Sequence, residues 1–290
     1  MKIFVTGGTG FIGKHAVAEL QKGKHQLLLL SRQDPKAVFK STRGMKILRG
    51  DLGNIEKWKG GLKRFKPDVA LHLAWEGIPD YSPEMSMKNL QASIALLRTL
   101  GEIGCPKVVI TGSSWELGGW TGEVSEDSGF KPANGFAAAK VALYAMGKEI
   151  AKQYNLQLVW ARIFYAYGPG QKSASLIPHL IERKRQGLDP DVKNPNGAND
   201  FIYVGDIARA LKMLAEKPAA SYQPPAESYN LGFGRLTGVK EIVKAVYGKD
   251  LIKRKGKVQG FWADISKMQK EFGWKPKVKI EEGVKRMMNG

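Results

Sequence analysis

The sequence predicts an α/β protein, a Rossmann-type doubly wound parallel sheet with a smaller C-terminal α/β substrate lobe. Three observations predict it. Short apolar runs alternate with amphipathic stretches of helical period, as in successive strand–helix–strand units. The second of these runs, QLLLL, is apolar throughout, as strands covered on both faces tend to be. Between the first run and the first helical stretch lies a glycine-rich turn, TGGTGFIG at 6–13.

Taken in order, KIFVTG (2–7) reads as a strand and FIGKHAVAELQKG (11–23) as an amphipathic helix closed by Gly23. HQLLLLS (25–31) is the second strand. Further strands are expected at 46–49, 68–73, 107–112 and 157–163, with helices near 54–65, 84–103 and 135–154. Right-handed crossovers between them make residues 1–164 a doubly wound domain, and the glycine turn at 6–13 marks it as an expected dinucleotide-binding one. After residue 164 the rhythm changes: YAYGPGQ (165–171) and DPDVKNPNGAND (189–200) are rich in Gly, Pro, Asn and Asp and read as loops. Helices at 173–187, 205–216, 237–247 and 281–288 and a short strand at 227–232 make up a substrate-binding lobe over 165–290. The 205–216 helix is expected to pack back on the first domain, with a cleft between the two lobes.

Composition bounds the function. Of 290 residues, 43% are hydrophobic and 25% charged, ordinary for a soluble globular protein. No apolar run approaches the ~20 residues of a membrane span, and MKIFVTGG lacks the pattern of a secretory signal. The single cysteine, Cys105, excludes an internal disulfide and fits a reducing compartment, so a cytoplasmic location is expected. The net charge of +19 favours polyanionic partners, phosphorylated small molecules among them. The basic residues are dispersed and no zinc-finger or RNA-binding motif accompanies them, so neither nucleic acid nor a membrane is the expected partner. The 4 histidines have no metal-ligand spacing, and no metal site is expected.

In the turn at 6–13, Gly7, Gly10 and Gly13 let the backbone approach a pyrophosphate, while free N–H groups of the helix start favour its charge. Thr9, Phe11 and Ile12 complete this candidate cofactor-binding segment. The second strand ends LLSRQDP, with Ser31 and Arg32 where an acid would bind a ribose 2′-hydroxyl. Ser plus Arg favours NADP, with NAD left open and Arg32 as a solvated loop residue the bland alternative.

With these residues, the chain resembles an extended short-chain dehydrogenase/reductase of the NAD-dependent epimerase/dehydratase family. The resemblance rests on the glycine turn, GDL (50–52), HLAW (72–75), NLQAS (89–93), TGSS (111–114), RIFYAYGPG (162–170), NDFIYVGDIARAL (199–211) and the tail at 264–287. It implies a nucleotide-activated sugar as substrate and a homodimer as the assembly. It assigns Asp51 and Leu52 to the adenine, Leu73, Ala74 and Trp75 to the ribose–phosphate path, and Phe164 to the cofactor. Trp115, Tyr165, Lys172 and Arg235 are the substrate-binding candidates. The fragment HLAWEG leans towards reductases of 4-keto-6-deoxy sugars; C4 epimerisation is the other reading.

The same resemblance implies a Ser that polarises the sugar oxygen, a Tyr that exchanges the proton and a Lys four residues later. Ser114 and Lys140 take the first and last roles, with Ser113 a close rival to Ser114. At the tyrosine position stands Phe136, in ANGFAAAK (133–140), a ring without a proton to give. General acid–base catalysis is typically worth about 10²–10⁴-fold, so the loss matters. Three accounts follow: a Tyr-to-Phe replacement, natural or introduced; another acid, with Glu116, Tyr165, Tyr167 or a water on Lys140 as candidates; or a binding protein without efficient turnover. Glu116 also echoes the acid of family dehydratases, against the plainer reading of a solvated or capping glutamate.

Overall fold

The structure is a computed structural model that describes residues 1–34, 38–39, 41–42, 44–222, 225–252 and 258–289. In chain order the strands begin with β1 (Lys2–Thr6), β2 (Gln26–Ser31), β3 (Met45–Arg49), β4 (Val69–His72) and β5 (Lys107–Ser113). They continue with β6 (Gly122–Val124), β7 (Gln157–Ile163), β8 (Tyr165–Tyr167), β9 (Ala198–Asn199) and β10 (Phe201–Tyr203). Last come β11 (Ala226–Leu231), β12 (Thr237–Gly238) and β13 (Phe261–Ala263). The helices are α1 (Phe11–Leu20), α2 (Lys59–Phe65), α3 (Pro83–Glu102), α4 (Gly135–Tyr154) and α5 (Leu176–Arg185). Those of the C-terminal part are α6 (Val204–Glu216), α7 (Val239–Tyr247), α8 (Ser266–Phe272) and α9 (Ile280–Asn289).

A seven-stranded sheet in the order β11-β7-β5-β4-β1-β2-β3 organises the chain. The pairs β1–β2, β1–β4, β2–β3 and β4–β5 are parallel. The order turns back between β1 and β4, the place where doubly wound sheets receive ligands at the carboxyl ends of their strands. The expected fold class is the observed one. Burial explains the unbroken apolar run of β2: Leu27 to Leu30 are all buried. Helix α1 presents Gly13, Ala16, Val17 and Leu20 inward at the spacing of one helical face.

The chain falls into two compact units. The first comprises Met1–Gly118, Gly129–Arg162 and Ala208–Tyr229, the second Gly119–Ser128, Ile163–Ile207 and Asn230–Gly290. The first unit takes Ala208–Tyr229 from the later part of the chain, and the second takes Gly119–Ser128 from the earlier part. Within the first unit, Lys107 shows how one returning segment is held. Its buried ammonium donates to the carbonyls of Leu214 (3.1 Å) and Ala215 (2.7 Å), in the last turn of α6. A cation suits the negative end of a helix.

The second unit has its own core, built from Tyr167, Ile177, Leu180, Phe201, Ile242, Val243 and Val284. Two carboxylates of NDFIYVGDIARAL are its anchors. Asp200 accepts N–H groups of Phe233 (2.6 Å), Gly234 (3.0 Å) and Ala263 (3.0 Å), and burial raises its carboxyl to about 6. Asp206 accepts from the backbone of Lys277 and Val278, both at 2.9 Å, fixing the tail.

Differences from the expected elements have local causes. The helix expected at 54–65 is a 3-10 turn over Leu52–Lys57, broken at Asn54 (φ −140, ψ 65), followed by α2. The Trp58 indole donates to the Asp51 carbonyl (2.7 Å), tying the turn back on itself at the junction. β6, β8, β9, β10, β12 and β13 are two or three residues long, too short to show alternation in sequence.

The turn after β1 is a close backbone crossing. Gly7 has φ +70, and a Cβ there would stand 2.5 Å from the Ala74 nitrogen. A Cβ on Gly13 would meet the Gly7 carbonyl oxygen at 2.0 Å. Neither neighbour is the mobile end of a side chain, so the backbone itself must shift. Gly13→Ala is therefore expected to cost about 1–3 kcal/mol of stability, measured by urea unfolding.

Candidate active site

The residues named from the sequence gather mostly at the carboxyl ends of β1, β2, β4 and β5 in the first unit. At the start of α1, Gly10 is the N-cap; it offers no side chain to cap the helix, and its own N–H donates to the Gly7 carbonyl at 3.0 Å. Thr9 and Gly10 are exposed, Phe11 and Ile12 half-buried. At the end of β4, His72 locks this corner: its Nδ1 lies 2.6 Å from Thr6 Oγ1 on β1 and its Nε2 lies 2.9 Å from Ser93 Oγ on α3. Burial lowers its pKa to about 3, with the Lys140 charge assisting, so the imidazole stays neutral. The half-buried segment Leu73, Ala74 and Trp75 leaves from this point beside Gly7.

At the end of β2, Ser31 is buried and its hydroxyl donates to the Gln33 carbonyl at 2.8 Å. Arg32 is exposed and pairs with Glu76, which also pairs with Lys88 at 2.9 Å. The bond from Lys88 is the leading cause that holds the Glu76 carboxyl below its ordinary range. Asp51 accepts the Gly53 N–H at 2.8 Å and caps the following turn, which opens with Leu52.

Ser113 and Ser114 separate cleanly. Ser113 is the N-cap of the 3-10 turn Ser114–Leu117, its hydroxyl accepting the Trp115 N–H at 3.2 Å. Ser114, 2% exposed, has no part in that cap. Glu116 is not a solvated residue: it is fully buried. One oxygen accepts the Ser113 N–H (2.6 Å), and the other accepts Trp160 Nε1 (3.1 Å) and Arg162 Nε (3.0 Å). A capping glutamate and a buried ion pair are here the same group.

Helix α4 begins at its N-cap Asn134, which accepts the Ala137 N–H at 3.0 Å. Phe136 follows one turn before Lys140, on the same buried face. The Phe136 ring, 8% exposed, stands among three others: Trp75 at 5.4 Å, Tyr81 at 5.6 Å and Trp115 at 6.1 Å between centroids. Lys140 donates to the Thr111 carbonyl (2.7 Å), and its Nζ lies 4.1 Å from the Trp75 ring centroid. Burial lowers its pKa to about 7, against a raising influence from Glu116. Tyr81 was not marked in the sequence. It lies in the loop between β4 and α3, where only a distant chain segment, α4, makes it part of the cluster.

Other candidates are placed in the second unit. Phe164 is buried against Phe261, and Tyr165 packs on Phe201, at 5.9 and 5.7 Å between centroids. Tyr167 is buried, donates its hydroxyl to the Lys279 carbonyl and has its pKa raised by burial. Lys172 is exposed, and Arg235 pairs with Glu241 at 3.0 Å. Among the described residues, no group of three or more His, Cys, Asp or Glu is placed to hold a metal ion. None of their helices is long and apolar enough to cross a membrane.

Sheet order and glycine turn define a doubly wound, dinucleotide-fold protein. The profile of the NAD dependent epimerase/dehydratase family matches residues 3–232, and the chain belongs to that family. Among its relatives, the dTDP-4-dehydro-6-deoxyglucose reductase of Escherichia coli is 24% identical, the match covering 99% of this chain and 96% of that protein. The UDP-glucuronate 4-epimerase of Thermodesulfobacterium geofontis is 29% identical over 98% of this chain and 94% of its own. The solved structure of MoeE5 in complex with UDP-glucose and NAD superposes with a TM-score of 0.82 at 24% identity, covering 100% of this chain and 98% of that one.

Two outcomes follow from this geometry. Glu116→Gln leaves the Arg162 charge buried without its partner and is expected to cost about 3–5 kcal/mol in urea unfolding. Lys140 has a folded pKa below its ordinary 10.5, so the unfolded chain binds more protons between about 7 and 10.5. Stability from this group therefore rises with pH across that window, and Lys140→Met should remove that part of the slope in pH-dependent unfolding.

Proposed function

We propose that this chain binds a nicotinamide dinucleotide at the turn after β1 and reduces the keto group of a nucleotide-linked 4-keto sugar. The observation that carries the reading is the backbone crossing at Gly7 and Gly13, which has no room for a Cβ and leaves a bare turn, with Thr9 and Gly10 exposed, at the start of α1. It supports a fit to the coenzyme diphosphate, which the turn from Gly7 to Gly13 would hold through the amides of Phe11 and Ile12, with Thr9 and Gly10 exposed beside it. Asp51 and Leu52 would flank the adenine, and Leu73, Ala74 and Trp75 would line the ribose–phosphate path. Bound in its reduced form, the coenzyme supplies hydride to the keto carbon. Ser114 hydrogen-bonds the oxygen on which negative charge develops, and Lys140, whose pKa burial lowers to about 7, lies one turn along α4 from Phe136. Trp115, whose ring borders Phe136, is the candidate of this unit for the sugar.

Reduction is preferred to C4 epimerisation because of residue 136. Epimerisation needs both a base at the alcohol and an acid at the ketone on one pathway, and Phe136 is neither; reduction needs one proton delivered, which a neighbouring hydroxyl or water can give. The 29% identity to a 4-epimerase keeps epimerisation as the second reading. The coenzyme favoured is NADP. Arg32 and Lys88 put two cations against the single carboxylate of Glu76, leaving positive charge at the end of β2 where a 2′-phosphate would lie.

Calorimetry with both reduced coenzymes tests the reading. NADPH should bind more tightly than NADH, and Arg32→Glu should weaken NADPH by about tenfold or more, equivalent to ~1.4 kcal/mol. Absence of binding by either coenzyme would overturn the proposal. Equal binding of both would remove the NADP preference alone. Net consumption of NADPH with 4-keto sugars marks reduction, and interconversion of 4-epimers without consumption marks epimerisation.

A further inference from the structure

The ring at 136 has lost its hydroxyl, yet a phenol stands beside it. Tyr81 packs on Phe136 at 5.6 Å and on Trp115 at 5.0 Å between centroids, so it shares the ring cluster next to Ser114 and Lys140. Other phenols of the chain are spent on structure: the hydroxyls of Tyr167, Tyr222 and Tyr247 go to the carbonyls of Lys279, Leu214 and Leu188, and that of Tyr229 to the Glu227 carboxylate. The Tyr81 hydroxyl has no protein partner among the described residues. Its ring is half-buried, so it is neither lost in the core nor a bare surface group.

Building on the reduction reading, we propose that Tyr81 is the catalytic acid, delivering the proton that residue 136 cannot. The phenol O–H bond breaks and its proton passes to the carbonyl oxygen of the sugar, as the C=O π bond gives way to a new C–H bond at the keto carbon. The electron pair of that C–H bond comes from the dihydronicotinamide coenzyme, which is oxidised. The Tyr81 phenolate then recovers a proton from water.

The surroundings suit donation. Burial raises the Tyr81 pKa above its ordinary 10, so the phenol keeps its proton at neutral pH. The charged groups on the elements packed against it are engaged elsewhere. Lys140 of α4 is held by the Thr111 carbonyl, and Glu116, beside Trp115, by Ser113, Trp160 and Arg162. On its own loop, the Asp80 carboxylate accepts the Ser82 N–H at 2.9 Å.

The test compares wild type, Tyr81→Phe and the double variant Tyr81→Phe/Phe136→Tyr, with NADPH and 4-keto sugars. Tyr81→Phe should lower kcat by about 10²–10⁴-fold, while KM and calorimetric NADPH affinity hold. The double variant, with a phenol restored at 136, should recover much of that loss. Ultraviolet titration of wild type minus Tyr81→Phe should show one phenol ionising above 10, and the wild-type rate should fall with pH through the same value. Wild-type kcat in Tyr81→Phe, or a loss of NADPH affinity in proportion to kcat, overturns the role of Tyr81 and leaves the reduction reading standing. A wild-type protein that binds NADPH but reduces none of the keto sugars overturns the reduction reading, and Tyr81's role with it.

Discussion

The close approach of two backbone segments at the end of β1 is the constraint on which the rest of the structure depends. Gly7 lies against Leu73 and Ala74, and Gly13 lies against Gly7. These contacts bring the start of α1 onto the sheet and the segment after β4 alongside it. His72 reinforces the crossing by linking Thr6 to Ser93 as a neutral imidazole. One small volume thus sets the distance between the helix start, the two central strands and α3. A side chain at either glycine would push apart elements whose positions define the site.

A second constraint runs through Glu116. Its carboxylate satisfies the Ser113 N–H, the Trp160 indole and the Arg162 guanidinium, fixing the turn that presents Ser114 and Trp115. A buried charge of this kind costs desolvation and is tolerated because each oxygen has a donor. In consequence the carboxylate nearest the site in sequence is turned inward as a strut. The lysine beside it is also taken up by protein groups, at the Thr111 carbonyl and over the Trp75 ring. The polar chemistry left at the ring cluster is that of hydroxyl groups.

The phenyl ring at 136 makes the centre of the cluster apolar. Trp75, Tyr81 and Trp115 close around Phe136 in tilted or edge-on contacts of the kind aromatic rings prefer. Family membership alone therefore does not transfer a mechanism to this chain; the ring neighbours of one residue decide which chemistry is open.

The sequence by itself determined the fold class, the glycine turn, and the α4 face that carries 136 and 140. Each is a local signal: apolar runs of strand length, glycines at fixed offsets between a strand and a helix, and a four-residue spacing on one helix after an Asn cap. Only the tertiary structure decided the rest. The expected helix at 54–65 became a 3-10 turn and α2, joined where Trp58 folds back on Asp51. Glu116, readable as solvated or capping, became half of a buried pair because Arg162 arrives from β7, far along the chain. Tyr81 carried no motif at all and acquired its neighbours when α4 packed beside its loop. Periodicity and turn chemistry are written in neighbouring residues, whereas the surroundings of a buried charge or a phenol are set by segments that meet only in the folded chain.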